Sequence, residues 1–131
     1  MTVTYGWRAG FPNAALDALH AAGFGNAAHG VDWRARLERH SVGWVCAHRE
    51  DRLIGFVNVV GDGGVHAFLV DTVVAREARG QGVGTALVAA AVAGARAAGC
   101  QWLHVDYEPH LSTFYQRACG FRPTSAGLLA L

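Results

Sequence analysis

Three glycines at alternate positions, Gly80, Gly82 and Gly84, stand in the run Arg79-Gly80-Gln81-Gly82-Val83-Gly84-Thr85. This run constrains the fold more than any other stretch. Upstream, Val65 to Val74 is rich in β-branched residues and reads as a strand. Downstream, Thr85 to Ala98 reads as an Ala-rich helix that Gly99 caps. A glycine turn between strand and helix belongs to a helix end whose first amides have no partner, and it lets a ligand approach the backbone closely, so it suits an anion such as a phosphate. The spacing excludes a dinucleotide fingerprint Gly-x-Gly-x-x-Gly, because the third glycine would fall on Thr85 or on Leu87. The chain contains no lysine, which removes a phosphate-loop lysine and Schiff-base chemistry as well.

The remaining elements fall into a clear order. Val3 to Trp7 is a candidate first strand, and Pro12 and Asn13 open a helix that Gly23 is expected to stop. A second helix follows Asp32, with Trp33 and Leu37 on one face and Arg34, Arg36 and Arg39 on a solvated one. Val42 to His48, Leu53 to Val60 and Val65 to Val74 form an antiparallel meander. Gln101 to Tyr107 is a fifth strand, Pro109 starts a helix over Leu111 to Ala118, and Leu128 to Leu131 is a last extended piece. This is an α/β chain: a mixed, mostly antiparallel sheet with helices on both faces, in one domain over residues 1–131.

At 52% hydrophobic and 16% charged residues, the chain is too apolar for disorder, and its apolar residues are too dispersed for a membrane span. Eleven basic and ten acidic residues give a net charge of +1. Without a basic block they point away from nucleic acid and towards small ligands. Cys46, Cys100 and Cys119 lack metal-ligand spacing and follow no signal peptide, so they are expected to be reduced thiols of a cytoplasmic protein.

Arg79-x-x-Gly82-x-Gly84 resembles the Arg/Gln-x-x-Gly-x-Gly/Ala motif with which the GNAT superfamily of N-acetyltransferases binds the pyrophosphate of acyl-CoA. Tyr115 with Gly120-Phe121 is similar to that family's downstream Tyr-x-x-x-x-Gly-Phe element, and Glu108 stands where the family often carries an asparagine. The order of elements resembles the family fold over nearly the whole chain. The resemblance implies a sheet splayed between its fourth and fifth strands, with acetyl-CoA as co-substrate. Pantetheine would lie beside Thr72, Val73 and Val74, and the pyrophosphate over Arg79, Gly80, Gln81, Gly82, Val83, Gly84 and Thr85. A backbone amide near Val74 would face the thioester oxygen, and Tyr115 would be the acid near sulfur. Phe114 and Arg117 would touch the pantetheine or nucleotide. A homodimer is compatible with the resemblance.

Acyl transfer to an amine needs a neutral amine, a stabilised oxyanion and a proton for the leaving thiolate. Asp71, three residues before Val74, is the candidate base, directly or through water; it could equally be a structural carboxylate. Asp106 and Glu108 alternate with His104 on the facing strand and would suit the cationic amine of a small molecule or peptide. His104, Asp106 and His110 lack a clear further ligand, so no metal is expected. His66 reads as an exposed strand-end histidine, Cys119 as core, and Trp33, Trp44 and Trp102 as core or pocket wall. Two functions follow: an acetyl-CoA-dependent N-acetyltransferase, or a catalytically silent acyl-CoA-binding sensor. The identity of the amine is not written in the motifs.

Overall fold

A computed structural model describes residues 2–131. Strand β1 (Val3–Trp7) is followed by helices α1 (Asn13–Phe24) and α2 (Trp33–His40). Strands β2 (Ser41–Arg49), β3 (Arg52–Gly61) and β4 (His66–Val74) come next, then α3 (Val83–Ala97) and β5 (Trp102–Val105). The strands lie in chain order in one sheet, antiparallel except for the parallel pair β4 and β5. The expected mixed sheet with helices on both faces is what the chain adopts.

The sheet divides two apolar layers. On one face, Leu87, Val88 and Ala91 of α3 pack on Val45, Val57 and Leu69. On the other, Leu16 of α1 with Trp33 and Leu37 of α2 packs on Trp44, Cys46, Phe56 and Val73. The two N-terminal helices are tied at their starts. Asp32 caps α2 by accepting from the Ala35 N–H at 3.2 Å, and the same oxygen accepts from Asn13 Nδ2 at 2.9 Å. Arg34 and Arg36 are less free than a solvated face implies, since Arg34 donates to the Phe11 carbonyl at 2.9 Å and Arg36 lies 4.8 Å from the Trp33 ring centroid.

Helix α1 passes the expected stop at Gly23 and ends at Gly25, which takes the left-handed conformation with φ +71°. Gly23 serves a close approach instead: a Cβ there would overlap the side chain of Val73 on β4. Helix α3 starts two residues before Thr85, so part of the glycine run is already helical.

Strand β4 carries the irregularity that matters most. Val70 pairs with Asn58 and Val73 with Phe56, so Asp71 and Thr72 together face Val57, a β-bulge. Asp71 sits at φ +60°, in the left-handed region that aspartate tolerates better than most residues. Pairing between β4 and β5 runs only from His66 to Leu69 and from Trp102 to Val105. Beyond it β4 continues to Val74 paired with β3 only, which opens the splay between the fourth and fifth strands, and β5 is shorter than the expected 101–107.

After β5 come a 3₁₀ turn (Pro109–Leu111) and a π-helical turn (Thr113–Ala118) in place of one regular helix. The last strand expected at Leu128 to Leu131 does not form. Leu128, Leu129 and Leu131 are fully or nearly fully exposed, with no sheet edge paired to them. Trp102, expected in the core or a pocket wall, is 54% exposed and lies 5.7 Å from Arg122.

Candidate functional site

The glycine run forms a tight cradle. Gly80 and Gly82 have φ of +75° and +81°, and a Cβ at either would meet no atom within 4 Å. Both glycines are therefore needed for their backbone conformation, and the space over them is open. Gly82 caps α3, and its carbonyl takes the Ala86 N–H at 3.1 Å. The N–H groups of Val83, Gly84 and Thr85 precede that bond, so they lack intrahelical acceptors and point out of the helix end. Gly84 plays a different part, since a Cβ there would press on the Phe114 ring at 3.2 Å. The cradle is braced from behind. Arg49 donates to Gln81 Oε1 at 2.8 Å, Gln81 donates to the Glu77 carbonyl at 3.2 Å, and Glu77 is paired with Arg52.

The end of β4 points into the splay. Ala75 donates to Ile54 at 2.7 Å and Val73 is in register with Phe56, so odd-numbered residues turn their amides towards β3. By alternation the N–H and C=O of Thr72 and Val74 face the gap. The Val74 carbonyl is engaged there by Arg79 Nε at 3.1 Å, which leaves the Val74 N–H facing the open side.

Strand end, cradle and π-turn enclose one cavity of about 530 Å³. Thr72, Val73, Val74, Arg79, Gly80, Gly82 to Thr85, Phe114 and Tyr115 all line it. Gln81 lies behind the cradle wall, and Arg117 is exposed outside the lining. An apolar channel ending in free amides fits a molecule with an extended arm and a pyrophosphate, because the amides and the dipole of α3 favour the anion. A second depression of about 740 Å³ lies beside the β2–β3 turn, away from the free amides, with charges of both signs on its rim.

Tyr115 is 6% exposed and held by aromatic neighbours. Tyr107 stacks on it with centroids 5.0 Å apart, and Phe114 and Phe121 meet it edge-on. Tyr107 is itself fixed by Gln116 Nε2 at 2.8 Å. Burial raises the pKa of the Tyr115 phenol above its usual value, opposed in part by the neighbouring Thr72 side chain of β4, so the hydroxyl stays protonated at neutral pH.

Asp71 lies at the bulge, with its side chain 29% exposed. One carboxylate oxygen meets His20 Nε2 at 2.9 Å, and the other accepts from Asn58 Nδ2 at 3.3 Å. Ser41 Oγ donates to Asn58 Oδ1 at 2.6 Å. Sequence reasoning missed His20, Asn58 and Ser41. Asp106 and Glu108 are exposed and outside the cavity lining. His104 is bonded to the exposed His66 at 2.8 Å, and Cys119 is half-buried, with its thiol pKa raised by burial. Among the described residues no three His, Cys, Asp or Glu side chains come together as a metal site, and no helix is long and apolar enough to cross a membrane.

The model of the acetyltransferase (GNAT) family matches residues 11–121. No curated protein matches the sequence. Among solved structures, a probable acetyltransferase of meticillin-resistant Staphylococcus aureus has a TM-score of 0.77 at 20% identity, over 99% of this chain and 98% of that one. Glucosamine-6-phosphate N-acetyltransferase of Arabidopsis thaliana gives 0.78 at 16%, over 98% of each chain. An aminoglycoside N-acetyltransferase solved in complex with CoA gives 0.77 at 20%, over 99% and 94%. At these identities the likeness is one of fold.

Proposed function

Since the chain belongs to the acetyltransferase (GNAT) family, we propose that it moves an acetyl group from acetyl-CoA to a primary amine by direct transfer within a ternary complex. The observation that carries this reading is one cavity in which the free amides of α3, the open end of β4 and Tyr115 converge.

Each part of the chain has a task there. The amides of Val83, Gly84 and Thr85 hold the pyrophosphate, with Arg79 at the rim. Thr72 and Val74 present backbone groups to the pantetheine arm in the manner of an added strand, and Phe114 packs against it. The Val74 N–H donates to the acyl oxygen as charge develops on it. Tyr115 gives its proton to sulfur as the carbon–sulfur bond breaks. Asp71 belongs to the amine side, while Asp106 and Glu108 attract a cationic substrate from outside the cavity. The three free thiols suit a reducing compartment such as the cytoplasm.

The test is a panel of amines with acetyl-CoA, read by release of free thiol. Amino sugars and aminoglycosides head the panel, because two proteins of the same fold are named for them. Thiol release that depends on an amine is the expected result. Tight CoA binding without release on any amine would favour the silent acyl-CoA-binding module.

A further inference from the structure

The hydrogen bond between His20 and Asp71 joins residues 51 positions apart on α1 and β4, beside the cavity yet outside the parts assigned above. Phe24 packs on the His20 ring with centroids 4.5 Å apart and also lines the cavity. Thr72, next to Asp71 in the chain, lines it too. The pair therefore stands directly behind the wall where α1 meets the open end of β4, and the His20 side chain remains 22% exposed.

We propose that His20 is the proton acceptor on the amine side of the transfer and that Asp71 is its positioning residue. This rests on the acetyltransferase reading above.

The hydrogen bonds divide the roles. Each oxygen of Asp71 already accepts one bond, from His20 or from Asn58, and Ser41 fixes the Asn58 amide so that its NH₂ faces the carboxylate. A carboxylate so engaged orients a neighbour better than it receives a third proton donor. A carboxylate can only accept, so Nε2 is the donor of the pair, and in the neutral imidazole the lone pair then lies on Nδ1. In that form Nδ1 is the basic nitrogen of the group. The ring plane is set by Phe24 on one side and by Trp33, 4.7 Å away, on another. The left-handed Asp71 in the bulge is the kind of local strain that gathers at working sites.

The remaining charges near the ring are few. On α1, Asp17 lies one turn back, with its carboxylate taken by the Gly30 N–H at 2.8 Å. On α2, Arg36 covers the Trp33 ring. On β4 the facing charge is Asp71 itself.

In the step, an amine arriving as its ammonium form first loses a proton to solvent. The nitrogen lone pair then forms the bond to the acyl carbon, and one N–H proton passes to His20 Nδ1, directly or through one water. The carbon–sulfur pair leaves on sulfur, which takes the proton of Tyr115. The His20 proton returns through solvent to the tyrosinate. One amine hydrogen has been replaced by acetyl and one thiol has formed.

His20→Gln tests the assignment, because the glutamine amide can still donate to Asp71 but has no basic nitrogen. Turnover is expected to fall about 10²-fold, with acetyl-CoA affinity unchanged and the acid limb of the kcat/KM profile lost. Added imidazole is expected to restore part of the activity of His20→Ala. Asp71→Asn is expected to slow turnover while acetyl-CoA still binds. A wild-type rate and pH profile in folded His20→Gln would overturn the assignment. Nitrogen-15 NMR of the wild-type histidine gives an independent reading that needs no variant to fold: Nε2–H with a bare Nδ1 supports the dyad, and the opposite tautomer contradicts it. A wild-type chain that binds acetyl-CoA but transfers to no amine overturns the acetyltransferase reading itself, and this assignment with it.

Discussion

The two sides of the splay at β4 are built from different material. On the proposed cofactor side the groups facing the cavity are mostly backbone: the amides of Val83 to Thr85, exposed at a turn of closely spaced glycines, and that of Val74 at the unpaired edge of β4. On the proposed amine side stands a side-chain network of His20, Ser41, Asn58 and Asp71, brought from α1, β2, β3 and β4. A backbone cradle depends on local conformation and tolerates many side chains around it. A side-chain network depends on how separate elements pack, so small shifts of α1 against the sheet should damage it first.

That contrast can be broken most strongly with alkali. Cys46 lies fully buried in the layer beneath α1 and α2, and burial pushes its thiol from the ordinary 9.0 up to about 12. The unfolded chain therefore loses this proton first. The contribution of Cys46 is whole below about pH 9 and is lost as the pH climbs towards 12, roughly 4 kcal/mol for this group, and the raised Tyr5, Tyr115 and Cys119 add losses of the same sign. Urea unfolding of Cys46→Ala at pH 7 and 11 should show a clearly shallower loss than wild type. An undiminished slope would place the weak point elsewhere.

Gly23→Ala comes next. Its new methyl would overlap Val73, so overpacking of about 1 to 3 kcal/mol is expected, displacing α1 from β4. Amine turnover should suffer more than CoA binding, which loses some affinity because Gly23 and Val73 line the cavity; equal loss of both would erase the distinction between the sides. Gly82→Val acts in the reverse sense. The left-handed backbone penalises a side chain by about 1 to 2 kcal/mol, and the isopropyl group enters the space over the cradle, so CoA affinity should drop on the order of ten-fold in a folded protein. Unchanged affinity in titration calorimetry would remove the pyrophosphate assignment. Arg79→Ala should have the smallest effect, about 1 kcal/mol or less and fading with salt, because the side chain is exposed and its Nε is occupied by the Val74 carbonyl.

The same contrast explains what could be read from sequence. The cradle was legible because strand end, turn and helix start are contiguous and glycine spacing is a local signal; Tyr115 was legible through its spacing to Gly120-Phe121. Gly23 misled because the same residue type serves as a helix stop and as a close-approach site, and only the position of Val73 separates the two. The pairing of His20 with Asp71 left no local trace: on α1 that histidine looks like any polar residue of a helix face. The apolar run at 128–131 has the composition of a strand but finds no edge, and β5 is short because its pairing with β4 ends at Leu69, just before the bulge.

The most direct test of the proposed chemistry is single-turnover acetyl transfer by Tyr115→Phe across pH, on an amine accepted by the wild type. The ring remains between Tyr107, Phe114 and Phe121, so only the proton donor is lost. A fall of about 10²-fold with acetyl-CoA affinity and stability preserved is the expected result. A wild-type rate with a wild-type pH profile would contradict it and leave Tyr115 a packing residue.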